Sequence, residues 1–325
     1  MAQQLTNTLA GMLLLNDQNM ADIYPNGVLD DAPVVRAAFA VPASQGGTLH
    51  KYLRRYTAAG AGFRDIGAGV SNAAEYVEDV SVVCRILDAS FDRDVALADA
   101  YSKGRAAYIE RETGSGLRSG FFALEQALFT NVSSGFAGLL QFSDYTITTS
   151  ATQIVDAGGS GGKSVWLLRW GPDDVALVAG NNGNVSMLWD DNNPTIIEKE
   201  DANGNPYSAY RVTLQGYFGL QVGTKYSAAR ICNLDGTSDD LLDDDLIADA
   251  MSAFPASRGP NMIVMNRTAL AELRASRTAT NPTGAPAPFP TEAFGVPIVV
   301  TDALPTNEAT VNSTTTATTN TTQKP

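Results

Sequence analysis

From Asp92 to Asn131 the chain reads DRDVALADAYSKGRAAYIERETGSGLRSGFFALEQALFTN, and Leu97, Tyr101, Tyr108, Leu117, Phe121, Leu124 and Leu128 recur in it, mostly at steps of three, four and seven. That spacing predicts a helix with one apolar face. Asp92, Asp94 and Asp99 crowd its start, where negative charge favours the positive end of the helix. Helical throughout, Val95 to Phe129 would run roughly 52 Å at about 1.5 Å per residue. A helix of that length is a beam on which other elements hang. Gly104, Gly114, Gly116 and Gly120 oppose it, each costing about 1 kcal/mol relative to alanine. A break at Thr113–Gly116 is therefore the alternative.

Charge and rare residues narrow what the beam can serve. Acids outnumber bases 35 to 22 for a net charge of −13, the wrong balance for a protein that grips phosphates with Lys and Arg. His50 is the sole histidine, so most His-based catalysis and most metal centres are ruled out by count. Cys84 and Cys232 form no C-x-x-C pair and read as two buried reduced thiols, although a disulfide is possible. The N-terminal stretch has no cationic, long-apolar secretory pattern, and no window reaches the ~18 apolar residues of a membrane span. The N-x-S/T matches at Asn131, Asn184, Asn266, Asn312 and Asn320 then read as chance.

In chain order, residues 1–45 form an arm with a short helix around Leu5–Leu13 and turn signals at Tyr24–Gly27 and Asp30–Val35. It has little core of its own and should lie against another surface. Residues 46–90 read as a long hairpin. Thr48–Tyr56 is one strand with His50, Lys51, Arg54 and Arg55 as polar positions; a glycine-rich tip carries Phe63, Arg64 and Asp65; Glu75–Leu87 is the return strand. A lone hairpin of this length is marginal in water, so it should rest on another surface, such as a second subunit.

Beyond the helix, Ser164–Trp170, Asp174–Ala179, Tyr207–Gln221 and Lys225–Asn233 are strand candidates, and Trp166, Trp170 and Trp189 read as core or interface residues. Residues 237–304 alternate helix and strand: a helix capped by Ser238 through about Phe254, a strand at Asn261–Met265, a helix capped by Asn266, a Pro/Thr/Ala loop and a strand at Val296–Ala303. The Thr-rich tail beyond Leu304 reads as disordered. The whole is an α+β pattern.

No stretch assembles a catalytic constellation. AGGSGGKS at residues 157–164 imitates a phosphate loop, but its first glycine is Ala157 and a strand follows it, so it reads as a flexible loop. Asp201, Asn203 and Asn205 imitate the start of a calcium loop, but position twelve is Val212, so a hairpin tip is the reading. The acids Asp239, Asp240, Asp243, Asp244 and Asp245 suit a helix start better than a cation.

Four stretches in this order resemble the major capsid proteins of tailed bacteriophages, with the Hong Kong 97-type capsid fold: Phe122–Leu140, Ser164–Val178, Gly216–Asp235 and Met262–Leu304. The resemblance implies an N-terminal arm (1–45), an extended loop (46–90), a peripheral domain (91–236) with a spine helix at about 92–130, an axial domain (237–297), a closing strand (298–304) and a tail (305–325). It implies a non-enzymatic subunit without cofactor or metal that packs into pentamers and hexamers of an icosahedral shell around double-stranded DNA, in the virion and, during assembly, in the host cytoplasm. Implied partners are further copies of the chain, a scaffolding protein, a portal at one vertex and a decoration protein. His50, Lys51, Arg54, Arg55, Phe63, Arg64 and Asp65 are the candidate contacts between copies. Two departures stand out. Gly219-Leu220 follows GYF where relatives often have a Trp, and Lys51 lies at the loop's base, so the covalent crosslink of some relatives has no support. A nanocompartment shell of the same fold and an acidic metal-binding α+β enzyme are the alternatives.

Overall fold

The structure is a computed structural model that describes residues 27–45, 47–57, 59–70, 74–130, 135–146, 152–180, 188–189, 193–236, 240–281 and 285–311. The arm helix expected near Leu5 and the helix cap expected at Ser238 lie outside them. In chain order the elements are α1 (Pro33–Ala37), β1 (Ala40–Pro42), β2 (Leu49–Thr57), β3 (Tyr76–Val83), β4 (Arg85–Asp88), β5 (Phe91–Asp94), α2 (Val95–Asp99), α3 (Arg105–Phe129), β6 (Ile154–Asp156), β7 (Lys163–Leu168), β8 (Val175–Ala179), β9 (Leu188–Trp189), β10 (Thr195–Glu200), β11 (Pro206–Val212), β12 (Leu214–Val222), β13 (Ala228–Leu234), α4 (Asp244–Ser252), β14 (Met262–Met265), α5 (Arg267–Ala279), β15 (Glu292–Ala293) and β16 (Val296–Val300).

The beam is α3, 25 residues long and continuous through Gly114–Gly116. The break falls earlier, at Gly104, whose φ of 88° no other residue adopts easily. Gly116 stays helical for a packing reason: a Cβ there would lie 3.2 Å from the carbonyl oxygen of Ala89. The acidic start is not helical at its first three residues, Asp92 to Asp94. Asp92 pairs in β5 because Arg211 and Lys199 from the facing hairpin grip its carboxylate, at 2.9 Å each; the pairing of Asp92 with Arg211 in β11 fixes the strand. Helix α2 begins only at Val95, with the Asp94 side chain accepting from the Ala96 N–H.

Three sheets hang on this helix. The six-stranded sheet has the order β15-β16-β14-β7-β13-β6, and a second sheet the order β1-β8-β12-β4 with β9 paired to β12. Strands β10-β11-β5 form a third. In the large sheet, alternate residues of β7 serve two cores. Trp166 and Leu168 face α3 and α1; Val165 and Leu167 face α4 and α5. A third cluster joins Tyr108 and Ile109 of α3 to Tyr210, Val212 and Leu214.

Several expectations shift with this topology. Strands expected on both sides of residue 236 hydrogen-bond in one sheet, so that boundary crosses a continuous core. Helix α4 is capped by Asp243, whose side chain accepts from the Leu246 N–H, while Asn266 caps α5 as expected through the Ala269 N–H. Thr195–Glu200, read as part of a turn-rich connection, is strand β10. The expected strand Tyr207–Gln221 is two strands meeting at Thr213. Residues 157–164 are not a loose loop: a Cβ on Gly162 would sit 2.2 Å from the Leu234 oxygen, so the glycines permit close approach. The tail residues 305–311 pack on the body, where disorder was expected. Glu308 bridges to Gly162 and its carboxylate meets Arg230 at 2.6 Å; Val311 bonds the Asn233 side chain. Cys84 and Cys232 are free and buried, and burial pushes the Cys232 thiol up to about 12.

Candidate assembly surfaces

Strands β2 and β3 pair with each other as a two-stranded sheet, joined to the body by a single bridge from Arg55 to Thr224. Period-2 alternation gives this hairpin an inner and an outer face. On the inner face His50, Tyr52 and Arg54 meet their own subunit. His50 Nε2 lies 2.8 Å from Gln221 Oε1, and Gln221 Nε2 donates to the Pro172 carbonyl oxygen. That second bond fixes the amide, so His50 Nε2 is the donor. Tyr52 Oη accepts from the Val222 N–H at 3.1 Å, and burial raises its pKa. Arg54 Nη2 donates to Asp144 at 2.5 Å and lies over the rings of Tyr56 and Phe142, 4.9 and 4.8 Å from their centroids. The Arg55 N–H donates to the Gly223 oxygen. Together these contacts latch the base of the hairpin to the body.

The seven candidate residues thus divide. His50 and Arg54 are buried at 9% and 4% exposure, so within this subunit they act as latch residues, in contrast to the outward contact expected of them. Lys51 and Arg55 lie on the outer face, with Arg55 paired to Glu75 at 2.6 Å. Phe63, Arg64 and Asp65 crown the tip, exposed throughout. Sequence reasoning missed the outer apolar set Leu53, Val77 and Val83, and Ile66 beside Phe63. Alternation along β2 would have separated Leu53 from His50, and the receivers Asp144 and Gln221 lie too far along the chain to be read locally.

The arm is also tied down. Val34 and Val35 are buried against α3, and Glu125 caps α1 from the side. Trp166 and Trp170 lie in the core, whereas the side chain of Trp189 is outside the described set. Among the described residues no cluster of His, Cys, Asp or Glu could hold a metal ion, and no helix is long and apolar enough to cross a membrane. Asp201 accepts from the Asn203 and Asn205 N–H groups and so closes the β10–β11 turn as expected.

A family profile described as Major capsid protein GP7 matches residues 24–312, most of the chain. The chain belongs to this capsid protein family. It is a major capsid protein, a shell-forming structural subunit with the Hong Kong 97-type α+β capsid fold. A chain in the cryo-EM structure of bacteriophage Epsilon15 is similar at 20% identity and a TM-score of 0.66, covering 96% of this chain and 99% of that one. The capsid of bacteriophage JBD30 decorated with minor capsid protein trimers is similar at 12% identity and a TM-score of 0.49, over 90% and 98% of the two chains. No curated protein matches the chain. The capsid family places the protein in the virion capsid.

Proposed function

We propose that copies of this chain form pentamers and hexamers, and that these close an icosahedral shell around packaged double-stranded DNA. The latched hairpin is the observation that carries the reading. Its base is fixed to the body by Arg54 and His50, while Phe63 and Ile66 at its tip are fully exposed. An apolar tip held out on a fixed arm suits a reach to a neighbouring copy. The excess negative charge of the chain suits a wall that repels packaged DNA and lets it move. On this reading residues 46–90 act as the extended loop, 91–236 and 298–304 as the peripheral domain and 237–297 as the axial domain at the capsomer centre. Lys51, Arg55, Phe63, Arg64 and Asp65 contact neighbours. A scaffolding protein, a portal at one vertex and a decoration protein are the further partners, and assembly takes place in the host cytoplasm. The subunit performs no chemistry of its own.

Negative-stain microscopy of the purified protein, alone and with its scaffolding partner, tests this. Closed shells are expected. A uniform monomer under every assembly condition would refute the proposal.

A further inference from the structure

We infer that Glu125 is a proton-controlled latch for the N-terminal arm: its neutral carboxyl holds α1 against α3, and its ionisation lets the segment Pro33–Ala37 detach. The latch belongs to the single subunit and stands whether or not shells form. Glu125 lies on α3 and exposes no surface. One of its oxygens, Oε2, accepts the N–H groups of both Val34 and Val35, and the other, Oε1, meets the Thr301 hydroxyl. The two valines need that oxygen. They lie in the first turn of α1, where N–H groups have no partner within the helix, and Ala32 before them offers no side-chain cap.

Three features make this tie sensitive to a proton. First, no cation balances the carboxyl among the described residues. The charged groups around the junction are Asp30, Asp31 and Arg36 on the arm, Arg118 on α3, and Arg267 and Asp302 beside the end of β16. They pair with one another: Arg36 with Asp30, Arg118 with Asp31, and Arg267 with Asp302. A buried carboxylate without a cation is costly. Burial accordingly raises its pKa, against the three hydrogen bonds. Second, the neutral form keeps every contact. Oε2 still accepts both N–H groups, while a protonated Oε1 donates to the Thr301 oxygen. Third, water is close. A groove of about 500 Å³ runs along the junction, lined by Asp31, Pro33, Arg118, Phe122, Arg267 and Thr301.

The element that moves is small. Helix α1 is five residues long, and besides the Glu125 tie it is held by Val34 and Val35, which share one core cluster with Phe121, Leu124 and Leu128 of α3. A segment this short opens at far lower cost than a central sheet. The motion ends at Ala40, where β1 pairs in parallel with β8. In the detached arm the carboxyl meets water and returns to the ordinary carboxylate range. Because the held state has the raised pKa, the tie is full below the ordinary value and is lost as pH rises through the raised one.

Hydrogen exchange of the full chain as unassembled subunits tests the latch, read by mass spectrometry from about pH 5 to about pH 9 and corrected for intrinsic rates. As pH rises, exchange in residues 34–38 should quicken about tenfold more than in β7. Glu125→Gln copies the neutral carboxyl, with an oxygen for both N–H groups and an amide NH for Thr301, and its arm should stay protected throughout. A wild-type arm whose protection does not change with pH overturns the latch, and so does an arm that loosens equally in Glu125→Gln. Infrared difference spectra of the wild type provide the second measurement should the variant fail to fold. At pH values where exposed carboxyls are already ionised, the C=O band of a protonated carboxyl should persist and then fade over the range in which the arm loses protection. A band that is absent or constant across that range overturns the latch.

Discussion

Glu125, on the spine helix, accepts the backbone N–H of Val34 at 2.8 Å through the same carboxylate oxygen that takes the Val35 N–H at 3.0 Å. Its other oxygen accepts from the hydroxyl of Thr301, just past β16. One fully buried side chain therefore ties the arm, the spine and the last strand together. Burial raises its pKa, with the three hydrogen bonds opposing the shift.

Removing that carboxylate leaves three buried donors without it: the Val34 and Val35 N–H groups and the Thr301 hydroxyl. Glu125→Ala should lower unfolding stability by about 2–4 kcal/mol, each orphaned N–H costing on the order of 1–3 kcal/mol less what water recovers. Glu125→Gln keeps an acceptor and should cost far less. The pH dependence has a definite sign. Because the folded pKa is raised, the stability of the wild type relative to Glu125→Gln is full below the unfolded carboxylate value and is lost as pH rises through the folded one. Denaturation of unassembled subunits across that range checks both points; a gap that widens in favour of the wild type with rising pH would contradict the account.

Arg54 bonds the Tyr56 hydroxyl at 3.0 Å as well, but Asp144 is the carboxylate that balances its charge. Arg54→Ala should release the hairpin base, because breaking a buried ion pair leaves the other charge poorly compensated, at about 3–5 kcal/mol for a fully buried case and less here, where Asp144 is partly exposed. The effect is local. Hydrogen exchange should quicken many-fold in residues 49–56 and 76–83 while β7 and β14 keep their protection.

The C-terminal strap through Val311 should be required for stability. Ending the chain after Leu304 strips Glu308 from Arg230, which is 3% exposed and otherwise bonded to Ser164 and the Tyr145 oxygen. That truncation should destabilise the subunit by about 3–5 kcal/mol. Ending it after Val311 keeps the bonds of Glu308 and Val311 and should avoid that loss.

Gly162 should tolerate no side chain. Its φ is 106° and a Cβ would strike the Leu234 oxygen. Gly162→Ala should cost about 2 kcal/mol or more and expose residues 305–311 to protease. No nucleotide binding should be lost with it, since β7, a strand, follows this segment.

Local chemistry made part of this fold legible. The Asn266 cap, the Asp201 turn, the buried strand at Met262 and the helical face from Tyr108 to Leu128 all act over a few residues and were readable as such. What the sequence hid depends on distant partners. Asp92 looked like a helix start until Arg211 and Lys199 claimed it. Gly116 looked like a helix breaker until Ala89 was seen to pack against it. The tail looked disordered because its anchor, Arg230, lies 78 residues away. The same holds for the assembly surfaces. A long hairpin with an exposed tip was readable, but the inward turn of His50 and Arg54 was not, since Gln221 and Asp144 come from other parts of the chain.

On the function proposed above, this subunit builds shells through its projecting hairpin. Electron microscopy of the full chain beside a chain lacking residues 57–74, with circular dichroism to confirm folding, tests it most directly. Closed shells are expected from the full chain, and from the deletion a folded subunit that forms none that are stable. Normal shells from the deletion would contradict it.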